Sequence, residues 1–169
     1  MKFLKLLFVS VLVGVGVYGL LTANFRKTTV TPLMETIVTP APKFPPTRIR
    51  IPKLEIDLAV KSATVSGNTW DMFDDAIAWL STSSVPEQGN VILYGHNRKN
   101  LFLDLYKLAA GDSIEIEQQG VWLRYIVTES KSVTPKDVAS ILSDENRLTL
   151  YTCEGSFDQK RRVLYAQPI

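Results

Sequence analysis

Short segments of β-favouring residues recur along the chain after residue 47. They are rich in Val, Ile, Leu, Tyr and Thr, and Gly or Pro stands near many of the joins between them. Short strands separated by such turn residues are typical of β-barrels and β-sandwiches. The sequence therefore predicts an all-β domain, with strands at 48–51, 56–60, 90–94, 113–118, 121–130, 147–152 and 161–166.

Helical segments are expected to be few and short. Residues 70–80 carry apolar side chains at mixed spacing and are interpreted as a helical piece. Residues 101–108 are interpreted as a helical turn, and Pro135 begins a segment that could form a helix ending before Asn146. The sequence indicates neither a second domain nor an internal repeat.

The N-terminus is apolar enough to cross a membrane. Residues 6–21 are apolar except for Ser10, and a helix over residues 3–23 would rise about 30 Å at about 1.5 Å per residue. The short basic start, with Lys2 and Lys5, favours an N-in, C-out orientation. We predict an uncleaved anchor at 1–25, with the rest of the protein outside the cytoplasm. A cleaved secretory signal is the alternative.

A proline- and threonine-rich linker is predicted at residues 26–47, because five prolines there favour extended conformers and the apolar content is too low to pack. The domain then occupies residues 48–169. The formal net charge of the chain is +2, and no basic face with interleaved aromatic residues is present. The sequence therefore argues against a nucleic-acid partner.

Cys153 is the only cysteine of the chain, and it closes the β-favouring segment 147–152. A thiol without a disulfide partner outside the cytoplasm is a candidate reactive group. The polar, glycine-containing residues 154–158 follow it, which places the sulfur at the end of a strand. A buried and inert thiol is the alternative.

His96 is the only histidine, and it follows the apolar segment 90–94 through Gly95. Arg161 and Arg162 begin the segment that would return as a hairpin beside the strand of Cys153. Because side chains alternate between faces of a strand, only one of these arginines can share the face of the cysteine.

A thiol, an imidazole and a guanidinium at one end of a barrel are suited to acyl transfer. The thiolate attacks a carbonyl, the imidazole exchanges protons, and the guanidinium offers donors to the oxyanion. One histidine and one cysteine do not supply the set of ligands that a structural zinc requires. No cofactor is therefore implied, although the sequence leaves calcium dependence open.

At these positions the chain resembles the sortases, the membrane-anchored cysteine transpeptidases of mainly Gram-positive bacteria. The segment Thr149-Leu150-Tyr151-Thr152-Cys153 matches the TLXTC motif, and Gly95-His96 matches the Gly-His motif of that family. Residues 86–90 resemble the P-G-E-x-G-N stretch that precedes Gly-His, and residues 102–114 are similar to the family's "F..L..L..GD.I" run.

The resemblance implies an eight-stranded sortase β-barrel with Cys153 as nucleophile and His96 as general acid and base. The family's arginine lies five residues before a small residue, which selects Arg161 by its distance from Ala166. Thr152 would shape the substrate pocket, and Thr149 of the same motif is assigned to substrate binding.

The implied reaction is cleavage of an LPXTG-like sorting signal between Thr and Gly. The acyl group would pass through a thioester to an amine of a cell-wall precursor or a pilin lysine. Partners would thus be surface proteins with a sorting signal, an amine acceptor and the membrane. A thiol endopeptidase that transfers to water, and a non-catalytic β-barrel binding module, are the alternatives. Tyr94 and the short segment 154–160 leave the subclass open, with a housekeeping or class D/E-like role favoured.

Overall fold

The computed structural model describes residues 43–67 and 69–169. The predicted membrane anchor and most of the predicted linker lie outside these residues. Lys43 to Thr47, the last part of the predicted linker, have no regular secondary structure. Among the described residues, no helix has the length and apolar character needed to span a membrane.

Eight strands form a closed barrel in the order β1-β2-β5-β6-β9-β10-β8-β7, and β3 and β4 form a separate two-stranded sheet. The strands are β1 Arg48–Ile51, β2 Ile56–Ala63, β3 Val65–Ser66, β4 Thr69–Trp70, β5 Ile77–Leu80, β6 Asn90–Gly95, β7 Ser113–Gln118, β8 Val121–Val133, β9 Arg147–Glu154 and β10 Lys160–Pro168. The predicted all-β class and the eight-stranded barrel are confirmed.

Two pairs of strands in the barrel run parallel, β2 with β5 and β6 with β9, and the other pairs are antiparallel. The β6–β9 pair brings the segment before His96 beside the segment before Cys153. The antiparallel β9–β10 pair then adds the strand that contains both arginines. This order of strands decides which predicted site residues meet.

The interior of the barrel is filled by apolar side chains from alternate positions of each strand. In β1 the buried residues are Ile49 and Ile51, whereas Arg48 is exposed and Arg50 is half-buried. In β9, Leu148 and Leu150 are fully buried in the same core cluster. This two-residue period, with polar residues outward, is what a half-solvated antiparallel sheet requires.

The helical interpretation of residues 70–80 is wrong, because Trp70 ends β4 and Ile77–Leu80 form β5. β5 lies between β2 and β6, and Ile77, Ala78 and Trp79 are all buried. A strand covered on both faces lacks the alternation that distinguishes a strand from a helix in sequence.

The other two predicted helical pieces are short 3-10 helices, at Leu105–Lys107 and Val138–Ile141. The second begins after Asp137, whose side chain accepts a hydrogen bond from the Ser140 backbone N–H at 3.2 Å. This helix is far shorter than the helix predicted between Pro135 and Asn146. It lies against the outer side of the barrel, where Ile141 is buried beside β10.

Candidate active site

The end of β9 presents Thr152 and Cys153 to opposite sides of the barrel wall. Thr152 is buried and continues the inward-facing series of Leu148 and Leu150, whereas Cys153 points outward and is half-buried. Arg161 is paired with Cys153 across the β9–β10 ladder, and Arg162 is paired with Thr152. The hairpin therefore puts Arg161, and not Arg162, on the face of the thiol.

His96 is placed by the parallel pairing of β6 with β9, in which Gly95 lies opposite Thr152. The Thr152 hydroxyl donates to the Gly95 carbonyl at 2.8 Å and fixes this pairing at the strand ends. His96 and Cys153 each follow a member of that pair, so both project from the outer face of neighbouring strands, which are about 4.8 Å apart in a sheet. Tertiary pairing thus brings together residues 57 positions apart.

Glycine at position 95 is required by packing inside the barrel. A Cβ atom there would lie 2.9 Å from Ile77 Cδ1 and 3.4 Å from Phe102 Cδ2. Contacts this short cannot be accepted without movement of the core. The inward side of β6 is therefore closed at its end, and the imidazole of the next residue is directed outward.

A cleft of about 650 Å³ contains all three predicted catalytic side chains, and we call it the outer cleft. Trp70 forms part of its wall and packs against two tyrosines. Its ring centroid lies 4.9 Å from that of Tyr94, edge-to-face, and 5.8 Å from that of Tyr151, in a stacked arrangement. The lining residues used below are Trp70, Tyr94, His96, Val138, Cys153 and Arg161. The cleft thus combines an apolar wall with the polar groups of the predicted site.

Sequence reasoning missed the aromatic wall of the outer cleft. The sequence prediction puts Trp70 in a helical piece, and it uses Tyr94 only to leave the subclass open. The outward position of Tyr94 could have been inferred from alternation along β6, since residues 94 and 96 share a face. The contribution of Trp70 could not have been inferred from the sequence, because Trp70 reaches this wall from the separate β3–β4 sheet.

The electrostatic surroundings of Cys153 favour the neutral thiol. Burial raises the pKa of the thiol above its ordinary value, Arg161 lowers it, and the carboxylate of Asp158 raises it further through its charge and a hydrogen bond. Because burial outweighs the guanidinium, only a minor fraction of the thiol is ionised at neutral pH. A nearby proton acceptor is therefore needed for efficient attack, and His96 is the candidate.

Arg161 is held at the entrance of the outer cleft by the loop between β9 and β10. Its Nη1 donates to the backbone carbonyls of Asp158 at 2.7 Å and Lys160 at 2.9 Å. A guanidinium has five N–H donors in a planar fork, so these bonds leave further donors for a bound molecule.

Acidic residues near the site are carried by loops. Asp74 Oδ1 lies 3.9 Å from His96 Nε2 and also pairs closely with Arg98, and the Asp74 side chain is largely exposed. Within residues 43–67 and 69–169, His, Cys, Asp and Glu form no group of three or more that could hold a metal ion. Asp74 therefore forms a surface ion pair with Arg98 beside His96.

The two threonines of the predicted substrate-binding pair occupy different places. Thr152 lines the outer cleft, whereas Thr149 is fully buried and lines no described cleft. The Thr149 hydroxyl donates to Asn90 Oδ1 at 2.7 Å, and Asn90 Nδ2 donates to the Ile141 carbonyl at 2.8 Å. Thr149 therefore reaches the cleft only through Asn90 and Ile141, and its assignment to substrate binding stays a prediction.

A second cleft, of about 310 Å³, lies at the barrel end on the other side of Cys153, and we call it the mouth cleft. Glu154 and Arg162 line it and form a partly buried ion pair, with Arg162 Nε 3.1 Å from Glu154 Oε1. This pairing explains why Arg162 cannot serve the outer cleft, since its side chain is directed inward with Thr152 and Glu154.

Comparison with known proteins agrees with this fold. The family model described as Sortase domain matches residues 49–169. The chain belongs to the sortase family. The family recognition made from Cys153, His96 and the surrounding motifs is therefore confirmed, while the individual catalytic roles stay predictions.

Relatives of this sortase-family chain include two curated proteins. Sortase A of Bacillus anthracis is 30% identical over 124 residues, which cover 70% of this chain and 57% of the relative. Sortase A of Listeria monocytogenes is 28% identical over 120 residues, which cover 69% of this chain and 52% of the relative. The chain therefore spans little more than half the length of these relatives.

The solved structure of sortase C1 from Streptococcus agalactiae is similar to the barrel of this chain. Its TM-score is 0.63 at 26% sequence identity, and the match covers 73% of this chain and 66% of that chain. Similarity to both sortase A and sortase C proteins leaves the class within the family open.

Proposed function

We propose that the chain is a cysteine transpeptidase that cleaves a sorting signal of the LPXTG type between Thr and Gly. The acyl fragment that ends in Thr would pass from Cys153 to an amine of a cell-wall precursor or a pilin lysine, and the fragment that begins with Gly would leave. One observation carries the proposal: β6, β9 and β10 put His96, Cys153 and Arg161 on the wall of one cleft. Membership of the sortase family supports the same reaction class.

In the first step, Cys153 Sγ attacks the carbonyl carbon of the Thr-Gly bond. A C–S bond forms, the C–N bond breaks, and the leaving amine takes the proton that His96 has accepted from the thiol. Because burial disfavours the thiolate, the attack depends on transfer of this proton to His96 within the cleft. The product is a thioester on Cys153 and a free amine.

Arg161 stabilises the negative oxygen that develops during this attack. It lies opposite Cys153, and its contacts to two loop carbonyls orient the guanidinium before substrate arrives. Fixed donors of this kind lower the barrier because no reorganisation is needed as charge develops. The aromatic wall of Trp70, Tyr94 and Tyr151 supplies apolar contact for the peptide.

The proposal includes the predicted location of the protein. Residues 1–25 would anchor the chain in the membrane, and the barrel would act outside the cytoplasm. A segment with the length and composition of residues 26–47 would hold the barrel away from the lipid surface. Surface proteins with sorting signals and amine-bearing wall precursors both occur in that compartment.

To test the function, the full chain in detergent micelles is incubated with an LPXTG-type peptide and with a glycine peptide as the amine. Mass spectrometry should detect a ligated product, and Cys153→Ala should abolish cleavage. His96→Ala should lower the cleavage rate by about 10²-fold or more. The neighbouring Lys160→Ala serves as control because its exposed side chain lines neither cleft.

Cleavage that survives in Cys153→Ala would overturn the thioester mechanism. Cleavage that depends on Cys153 but yields only the hydrolysed acid, with every amine tried, would instead identify a thiol endopeptidase. Alkylation of the half-buried Cys153 distinguishes these two enzymes from an inert binding module. A thiol that resists alkylation in the folded protein would support the binding module.

A further inference from the structure

Cys153 lies where two clefts meet. The outer cleft contains His96 and Arg161, and the mouth cleft at the barrel end contains Glu154. Thr152 and Cys153 are the residues that line both. Asn97, which lines the mouth cleft, directly follows His96 of the outer cleft. The thiol and the segment containing the imidazole are thus accessible from two sides of the barrel wall.

A transpeptidase has to bind its second substrate while the first is still covalently attached. The acyl part of the peptide remains beside Arg161 in the outer cleft after the thioester has formed. An amine that entered by the same route would compete with this bound acyl chain for space. A separate approach from the mouth cleft avoids that conflict.

We propose that the mouth cleft binds the acceptor substrate as a primary amine carried on a peptide. Glu154 would attract the ammonium group, and Leu103 and Tyr106 would contact the atoms next to it. The inference deepens the proposed function and rests on it. It assigns the two substrates of one reaction to the two clefts that share Cys153.

The charge of Glu154 fits this role. Burial by itself would raise the pKa of its carboxyl, but the Ser132 hydroxyl and the Arg162 guanidinium lower it below the ordinary value. Arg162 Nε donates to Oε1 at 3.1 Å, whereas the enclosed Oε2 accepts no hydrogen bond of normal geometry within the described part of the chain, from the nearby Ser132 hydroxyl or from any other donor. An unpartnered carboxylate oxygen is costly to bury, and a cationic ligand would supply the missing donor after a small side-chain movement.

Two of the apolar side chains that line the mouth cleft are exposed. Leu103 is 42% exposed and Tyr106 is 56% exposed, and both flank the cleft beside the buried Phe102. Large apolar side chains that border a polar cleft are suited to contact an aliphatic or peptide chain. The surface thus offers apolar contact beside the Glu154–Arg162 ion pair, and the carboxylate oxygen that Arg162 leaves unpaired is an acceptor for a primary amine on a short chain.

The transfer step balances with the groups present. The bound ammonium group first releases one proton to bulk water. The neutral amine nitrogen then attacks the thioester carbonyl, a C–N bond forms, and the C–S bond breaks. One proton of the amine passes to His96, and Cys153 leaves as a thiolate. Proton transfer from His96 to the thiolate then restores the starting thiol and imidazole.

The partition of the thioester between amine and water tests the inference. The full chain is given the peptide and increasing amine, and the ratio of ligated to hydrolysed product is measured by mass spectrometry. This ratio does not depend on how fast the thioester forms. Triglycine and Nα-acetyl-lysine amide serve as probes, because they distinguish an N-terminal amine from a side-chain amine.

Leu103→Ala and Tyr106→Ala should each lower the ratio roughly threefold to tenfold at subsaturating amine, which corresponds to the loss of one apolar contact. Val138→Ala, at an exposed residue of the outer cleft, should raise the KM for the peptide and leave the ratio unchanged. Val121→Ala is the control, since Val121 is exposed and lines neither cleft.

A ratio that falls in Val138→Ala but not in the two mouth-cleft variants would overturn the inference, because the amine would then enter through the outer cleft. Peptide cleavage would continue in that case, so the proposed function would survive. If the unaltered chain cleaves no peptide, the proposed function fails and the inference fails with it.

Discussion

Arg161 lies directly opposite Cys153 in the β9–β10 ladder, while Arg162, one residue later, is paired with Thr152 on the inward side. We therefore expect the two arginines to have different roles although they are adjacent in sequence. We expect Arg161→Ala to lower peptide cleavage about 10²- to 10³-fold, the usual effect of losing a fixed oxyanion donor. We expect Arg162→Ala to lower stability by about 1–3 kcal/mol, because it leaves the Glu154 carboxylate unpaired.

Steady-state kinetics and urea denaturation separate these effects. Arg161 donates to the backbone carbonyls of two exposed residues, Asp158 and Lys160, so its removal should change the unfolding midpoint little. A large loss of stability in Arg161→Ala, with activity retained in proportion to the folded fraction, would contradict the catalytic role.

The reactivity of Cys153 should respond in opposite directions to its two charged neighbours. Asp158 raises the pKa of the thiol and Arg161 lowers it. Asp158→Asn should therefore shift the alkylation of Cys153 to lower pH, and Arg161→Ala should shift it to higher pH. The pH dependence of iodoacetamide modification measures this. If both variants shifted it in the same direction, the charge effects inferred here would be wrong.

Gly95→Ala should destabilise the barrel by about 1–3 kcal/mol, because its Cβ would lie 2.9 Å from Ile77 Cδ1. Ile77→Val removes that methyl group and by itself should cost about 0.5–1.5 kcal/mol. The double variant should then be more stable than the sum of the single effects predicts. Additive free energies of unfolding would show that the contact with Ile77 is not the reason for glycine at this position.

Thr149→Val should lower stability by about 1–3 kcal/mol, since it leaves Asn90 Oδ1 without its buried donor. Because Asn90 also holds the Ile141 carbonyl at the outer cleft, the KM for the peptide should rise with little change in kcat. Thr128→Val, at a hydroxyl bound to the Tyr165 carbonyl away from the site, provides a matched control. A fall in kcat at unchanged KM would indicate direct participation of Thr149 in the chemical step.

The ion pair of Glu154 with Arg162 should make stability depend on pH. The pKa of Glu154 is lower in the folded state than in the unfolded state. The ion pair therefore contributes to stability above the unfolded-state pKa, and this contribution is lost as pH falls through the folded-state pKa. Glu154→Gln should therefore be less stable than the unaltered chain at neutral pH, by about 1–2 kcal/mol for a partly buried pair. Urea denaturation at neutral and acidic pH should show this difference shrinking in acid.

The strand pattern was largely predictable because most barrel strands have one apolar and one polar face. The predictions at 48–51 and 113–118 coincide with β1 and β7, and the others fall within longer strands. β5 was missed because both of its faces are covered, and an unbroken apolar run contains no two-residue period. Trp70 was missed with it, so the aromatic wall of the outer cleft was not foreseen.

Sequence alone determined the all-β class, the sortase family and the identity of the two unique side chains, Cys153 and His96, because motif order and residue chemistry are local properties. Only the tertiary structure decided that Gly95 pairs with Thr152, that Arg161 faces the thiol, and that Thr149 is enclosed behind Asn90. The division of the surface around Cys153 into two clefts was also decided there. These relations depend on the register of strands distant in sequence, where a shift of one residue would turn every side chain to the other face.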